Sequence, residues 1–184
     1  MNIPNTVLEL LDCSASELKE VLCAGHAVDP VALAGQAYLG VSLGLPAWVD
    51  RLAWKTFVKA FTRDGDGVRG WNVRMEQGAL EGPHRPCVDQ AGQPKAFGNF
   101  RVSALPTGRC APIHEGAVLL DYGVEENARL DPGRTIRDPL VALQEGSNAL
   151  LFGRSYIAVG AGWMPTPSYF VLMRATELGA LAQP

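Results

Sequence analysis

The sequence predicts a mainly β to α+β protein, an antiparallel barrel of about eight strands with helices at its N-terminus. Three observations carry that prediction. Short apolar segments with a two-residue period recur from Ala37 to Ala175. From Phe97 onward no helical stretch separates them, and strands joined without crossover helices pair antiparallel. Asp64-Gly65-Asp66-Gly67 is a strong short turn signal and makes a hairpin of its two flanking segments.

The first 33 residues are predicted helical. Val7, Leu8, Leu10 and Leu11 mark one short helix, and Leu18, Val21 and Leu22 mark a second. Ser14 with Glu17 fits the capping box, in which each side chain satisfies an orphan amide of the first turn. Gly25 suits the close of that helix. Asp29-Pro30 opens one more helical turn, since proline is tolerated at the first helical position. The period then changes. Ala37, Leu39, Val41 and Leu43 alternate with Tyr38, Gly40 and Ser42, which predicts the first strand.

Pro46 to about Trp54 returns to helical spacing. Phe57, Lys59, Phe61 and Arg63 recur every second residue and form the first arm of the hairpin. Its second arm, Val68 to Gln77, sets Trp71, Val73 and Met75 on one face and Asn72, Arg74 and Glu76 on the other. Gly78 to Lys95 holds three prolines and three glycines without periodicity, which predicts a long surface loop and a candidate lid. Further strands are predicted over Phe97–Leu105, Gly116–Tyr122, Leu140–Gln144, Leu150–Val159 and Ser168–Ala175. The barrel thus spans residues 34–175 of one predicted domain, with 176–184 as a tail.

The chain has 184 residues, 19% charged and 47% hydrophobic, with a net charge of −3. That size suffices to bury a core without disulfide or metal staples. The charge is no footprint for nucleic acid, and no apolar run reaches the length of a membrane helix. The N-terminus lacks the pattern of a signal peptide, so a cytoplasmic location is expected. Cys13, Cys23, Cys87 and Cys110 contain no CxxC pair and are expected as free thiols.

An eight-stranded barrel has room for a filled core or one small ligand. Arg101, Asp121, Arg154 and Arg174 interrupt apolar strands, and a buried charge tends to be partnered or to serve a site. Against this, alternation alone puts such residues on a solvent face. The aromatic residues Trp71, Tyr122, Phe152, Tyr156, Tyr169 and Phe170 supply surface for a pocket or simply for a core. The charges between Gly123 and Asp138 are nearly balanced: Glu125, Glu126, Arg129, Asp131, Arg134, Arg137 and Asp138 fit a solvated loop with turn marks at Asp131-Pro132-Gly133 and Asp138-Pro139.

His84-x2-Cys87 and Cys110-x3-His114 have spacings that could each give two ligands to zinc, but both lie in proline-rich stretches and match no standard finger order. No metal or cofactor is therefore expected. Asp64-Gly65-Asp66 lacks the later ligands of a calcium loop, and the glycines of 65–70 lack the strand and helix of a dinucleotide fingerprint.

FGNFRV, AVLLDYG, LLFGRSYIAVG and SYFVLMR together resemble a family of short, uncharacterised bacterial proteins with the motifs FGxFRV, LLLDYG, LLxGxxY and YFVLxR. The resemblance spans Phe97 to Arg174 and implies a lipocalin-like barrel but no activity. Where the family has lysine and glutamate, this chain has Arg154 and Met173.

Three functions follow as expectations. The first is a binder of a small hydrophobic molecule, held by Trp71, Arg101, Arg154 and Tyr156 around a polar anchor. The second is an acid–base enzyme for isomerisation or cyclisation in the same cup, with Asp121 as base and Tyr122 or Arg154 stabilising developing charge. The third is a partner-binding module that uses a sheet edge or helical face and lacks a cavity. The oligomeric state is left open by the sequence.

Overall fold

The computed structural model describes residues 3–44, 55–110, 113–124 and 126–182. Two helices come first, α1 (Asn5–Leu11) and α2 (Ala15–Cys23), followed by a single 3-10 turn at Val31–Leu33. The capping box at α2 is present in both directions, Ser14 Oγ accepting from the Glu17 amide and Glu17 from the Ser14 amide. The predicted helix over Pro46–Trp54 falls outside the described residues.

Eight strands follow: β1 (Ala37–Leu43), β2 (Thr56–Asp64), β3 (Gly67–Arg74), β4 (Ala96–Ala104), β5 (Val118–Asp121), β6 (Ile136–Gln144), β7 (Ser147–Val159) and β8 (Gly162–Arg174). Each pairs antiparallel with the next, and β8 returns to pair with β1, so the sheet closes into a barrel. β2 and β3 form the predicted hairpin, with Gly65 in the left-handed conformation its turn demands. Pairing of successive strands follows from short connections, and closure gives every strand a neighbour on both sides.

Two strand starts and one loop differ most from the prediction. β6 starts at Ile136, so Arg137 and Asp138 belong to a strand, not to a solvated loop; Pro139 sits within that strand opposite Leu119. β8 starts at Gly162 and carries Pro165 and Pro167 where its pairing with β7 shifts register. The stretch 85–95 is no free loop either. Cys87 and Arg74 exchange backbone contact with Lys95 and one another, and small bridges pair Met75 with Pro86 and Val88 with Pro94.

Side chains divide between two cores, as alternation on a closed sheet requires. The outer core joins Leu39, Val41, Val58, Val73, Val171 and Met173 to the helices through Val7, Leu10, Leu18 and Leu22. Residues Thr176–Ala182 form a further 3-10 helix, and Leu178, Leu181 and Ala182 pack onto this same core. The lumen holds Tyr38, Phe61, Phe100, Leu120, Leu140, Leu151 and Leu172, and Val28 and Leu33 close one end of it. Helices α1 and α2 therefore clothe the outside, and the 3-10 turn supplies the plug.

Inside, the rings meet in a chain: Tyr38 edge-on to Phe61 at 5.5 Å, Phe61 edge-on to Phe100 at 5.4 Å, and Phe100 tilted against Tyr122 at 5.3 Å. Glycines on neighbouring strands make room for such rings. A Cβ at Gly40 would lie 2.4 Å from Phe57, and one at Gly153 would lie 2.4 Å from Phe170. The plugged half of the barrel is thus filled with side chains.

Candidate functional site

Phe57, Lys59 and Phe61 share one face of β2 by their period of two, and Phe61 is part of the lumen. Lys59 is thereby carried into the barrel between two phenylalanines. The β2–β3 register sets Asn72 directly opposite it. Tyr122 follows the end of β5, and Asp138 lies in β6 beside that strand. Two separate pairs of strands, β2–β3 and β5–β6, thus deliver four polar side chains to one level of the lumen. Lys59, Asp138, Tyr122 and Asn72 are each 3–5% exposed.

The Lys59 ammonium donates to Asn72 Oδ1 at 3.0 Å, to Asp138 Oδ2 at 3.4 Å and, through a short contact, to the Tyr122 hydroxyl. Its three protons are matched by three acceptors. The Tyr122 hydroxyl donates to Asp138 Oδ2 at 3.2 Å, and Asn72 Nδ2 donates to the Gly98 carbonyl at 3.0 Å. Four rings surround the ammonium, Phe57, Phe100, Tyr122 and Phe170, with centroids 5.1–5.3 Å away. Their negative faces favour a cation there. Burial nevertheless pulls the Lys59 ammonium below its ordinary value, with Asp138 pulling the other way. Burial, reinforced by the Asp138 charge, drives the Tyr122 phenol well above its ordinary value. Tyr122 is a neutral donor at physiological pH.

Asp138 Oδ1 has no hydrogen-bond partner among the described residues, although it is buried. Above the network the lumen opens into a cavity of about 360 Å³. Phe57, Phe97, Ile136 and Phe170 give its walls an apolar character, and Ser42, Ser155 and Ser168 ring it with hydroxyls. The turn at Asp131-Pro132-Gly133 stands at the same mouth, held by Asp131 Oδ1 accepting from the Gly133 amide at 2.8 Å. Gly98 lines the cavity with φ +55°, and a Cβ there would lie 2.9 Å from Asn72 Nδ2.

Of the site residues expected from sequence, Tyr122 is in this cavity. Asp121, one position away, faces the opposite side and pairs with Arg137 at 3.1 Å, the residue across from it in β6. Arg101 lies beside Asp121 in the β4–β5 register and reaches Asp64 at 3.5 Å with its side chain 60% exposed. Trp71 packs in the outer core, with Arg69 over its ring. Arg154 lies over Tyr169 and Tyr156 at 4.7 and 5.5 Å and donates to the Thr166 carbonyl. Tyr156 is buried beside Trp163.

Lys59, Asn72, Asp138, Phe57 and Phe97 were not singled out by the sequence. A signal for Lys59 was present: a lone ammonium flanked at i−2 and i+2 by phenylalanine on one strand face. Asp138 carried none, because Asp-Pro is an ordinary turn mark.

Among the described residues no three His, Cys, Asp or Glu side chains are placed to share a metal ion. His114 Nδ1 accepts from the Gly116 amide at 2.9 Å, and burial, with a smaller effect from Cys23, pushes the Cys110 thiol up. All four thiols are free. Among the described residues no helix is long and apolar enough to cross a membrane. No protein-family model, curated protein or solved structure matches the chain.

Proposed function

We propose that the barrel binds one small, largely apolar molecule in the open half of its lumen, anchored on Lys59, Tyr122 and Asp138. The observation that carries this reading is the cavity of about 360 Å³ with apolar walls and a buried polar network at its base. Binding sites are of this kind: apolar linings of roughly 300–1,000 Å³ with a few convergent polar groups that fix orientation. A ~150 Å³ apolar cavity accepts benzene, so this one suits a molecule of about two rings.

The test is titration of the protein with naphthalene, followed by ring fluorescence, alongside native mass spectrometry for a ligand retained from the cell. Saturable one-to-one binding is expected, and Ser168→Trp, which places an indole in the mouth, is expected to block it. Wild-type protein that takes up no naphthalene, or a Ser168→Trp variant that binds it equally well, defeats the reading.

A second reading is supported by the contact between an ammonium, a phenol and a carboxylate. Burial pulls the Lys59 ammonium down and drives the Tyr122 phenol up, and donors and acceptors held in contact are what general acid–base chemistry uses. With Asp121 on the outer face, the acid–base pair in that reading is Tyr122 and Asp138. Turnover unaffected by Tyr122→Phe would remove it.

A further inference from the structure

We infer that the molecule this cup takes is neutral and bears a hydrogen-bond donor, a hydroxyl on an apolar frame, which it gives to Asp138 Oδ1. The inference rests on the reading of the lumen as a binding cup and names the chemistry of the head group that reaches its base.

Asp138 presents two oxygens. Oδ2 accepts from Lys59 and Tyr122, and Oδ1 is buried with no partner among the described residues while its side chain lines the cavity. Its side chain is 4% exposed. A buried carboxylate oxygen left without a donor is costly, and a ligand that supplies the donor removes that cost.

The charges decide which donor. Lys59 and Asp138 neutralise one another at 3.4 Å, and all three ammonium protons already have acceptors. An anionic head, such as a carboxylate, finds no free cation and meets the unpartnered oxygen of Asp138. A cationic head meets the Lys59 ammonium within the same ring of aromatics. Either ion gives up its hydration without a counter-charge, which apolar walls do not compensate. A hydroxyl gives up little hydration and makes the missing bond. Hydrogen bonds to ionised groups are the strong ones.

The experiment uses the whole chain and four probes of one frame: naphthalene, naphthol, naphthoate and naphthylmethylamine, titrated at neutral pH by fluorescence and calorimetry. Naphthol is expected to bind roughly tenfold or more tightly than the other three. Naphthoate or the amine binding as tightly as naphthol overturns the inference, as does naphthol binding no better than naphthalene; in these cases the cup reading stands. If none of the four binds, both fall.

Asp138→Asn leaves Lys59 without its counter-charge and is expected to invert the order so that naphthoate exceeds naphthol. An unchanged order in that variant overturns the inference. Because Asp138→Asn leaves a buried charge unpaired, the charge-free pair Lys59→Met with Asp138→Leu serves beside it. There naphthol is expected to lose its advantage over naphthalene, and retention of that advantage is likewise fatal to the proposal.

Discussion

Replacing Lys59 by methionine tests the buried network most directly. Methionine keeps the length and apolar character of the stem among Phe57, Phe100 and Phe170 and deletes the ammonium. Three hydrogen bonds go with it, to Asn72, Tyr122 and Asp138, and the Asp138 carboxylate keeps only Tyr122 as a donor. Both members of the pair are 4% exposed on their side chains, so solvent does not replace what is lost. Breaking such a pair from one side costs about 3–5 kcal/mol. For a chain of this length that is a fall in Tm of roughly 6–20 °C. Removing both charges, in Lys59→Met with Asp138→Leu, is expected to return most of that loss, since buried pairs and apolar replacements of similar volume are close in stability. The two single variants, the double variant and wild type form a cycle measured by denaturant unfolding, with m-values checked for constancy. Asp138→Asn adds a signature in pH. In it the folded state holds the Lys59 proton more weakly than the unfolded state does, because burial lowers that affinity and the opposing carboxylate charge is gone. Between the lowered value and the unfolded lysine value of about 10.4 the unfolded chain binds more protons, so stability rises with pH and the deficit of the variant shrinks. A Lys59→Met loss below about 1 kcal/mol, the scale of an exposed pair, would refute the buried network.

Further outcomes are open to measurement. In Tyr122→Phe compared with wild type, the difference in phenolate absorbance is expected to titrate only well above the ordinary phenol value of about 10; a difference titrating at that value would contradict the burial of Tyr122. The folded state holds the Tyr122 proton to higher pH than the unfolded state, so the corresponding stability is present below about pH 10 and lost on passing through the raised value. Gly98→Ala places a Cβ 2.9 Å from Asn72 Nδ2 at a φ of +55° and is expected to cost about 1–3 kcal/mol in denaturant unfolding. Asp121→Asn and Arg101→Ala, both on the outer face in pairs open to solvent, are expected to change stability by less than about 1 kcal/mol and to leave naphthalene binding unchanged.

Much of the barrel was legible because its signals are local. The alternation of Ala37–Leu43 gave β1 at its observed limits, and Asp64-Gly65-Asp66-Gly67 gave the hairpin. Which face of each strand becomes the lumen was not legible, and the reason is physical. Helices α1 and α2 and the segment Thr176–Ala182 cover part of the outer wall, so both faces of β1 and β3 are largely buried. A strand buried on both sides does not announce its inner side by polarity. On β3 the apolar set Trp71, Val73 and Met75 points outward to the outer core, and polar Asn72 points into the barrel. Along β4 and at the end of β5 the outer wall meets solvent, and there Arg101 and Asp121 do what alternation says.

Asp138 shows why a site can be invisible locally and still follow from the same physics. Asp-Pro ends strands far more often than it sits within one, because proline removes a ladder donor. Here Pro139 lies opposite Leu119 and Asp138 opposite Leu120, and the aspartate is held in the strand by partners distant in sequence: Lys59 and Tyr122. Those contacts exist only after β2, β5 and β6 have come together, so no window of sequence contains them. The same pair is a poor source of stability, since an apolar pair of similar volume would do as well. Its position is what distinguishes it: Lys59, Asn72, Tyr122 and Asp138 all line the cavity, and Asp138 Oδ1 is buried beside it with no hydrogen-bond partner among the described residues. A buried carboxylate oxygen without a donor costs the folded state free energy, so the network is not the arrangement that stability alone would favour.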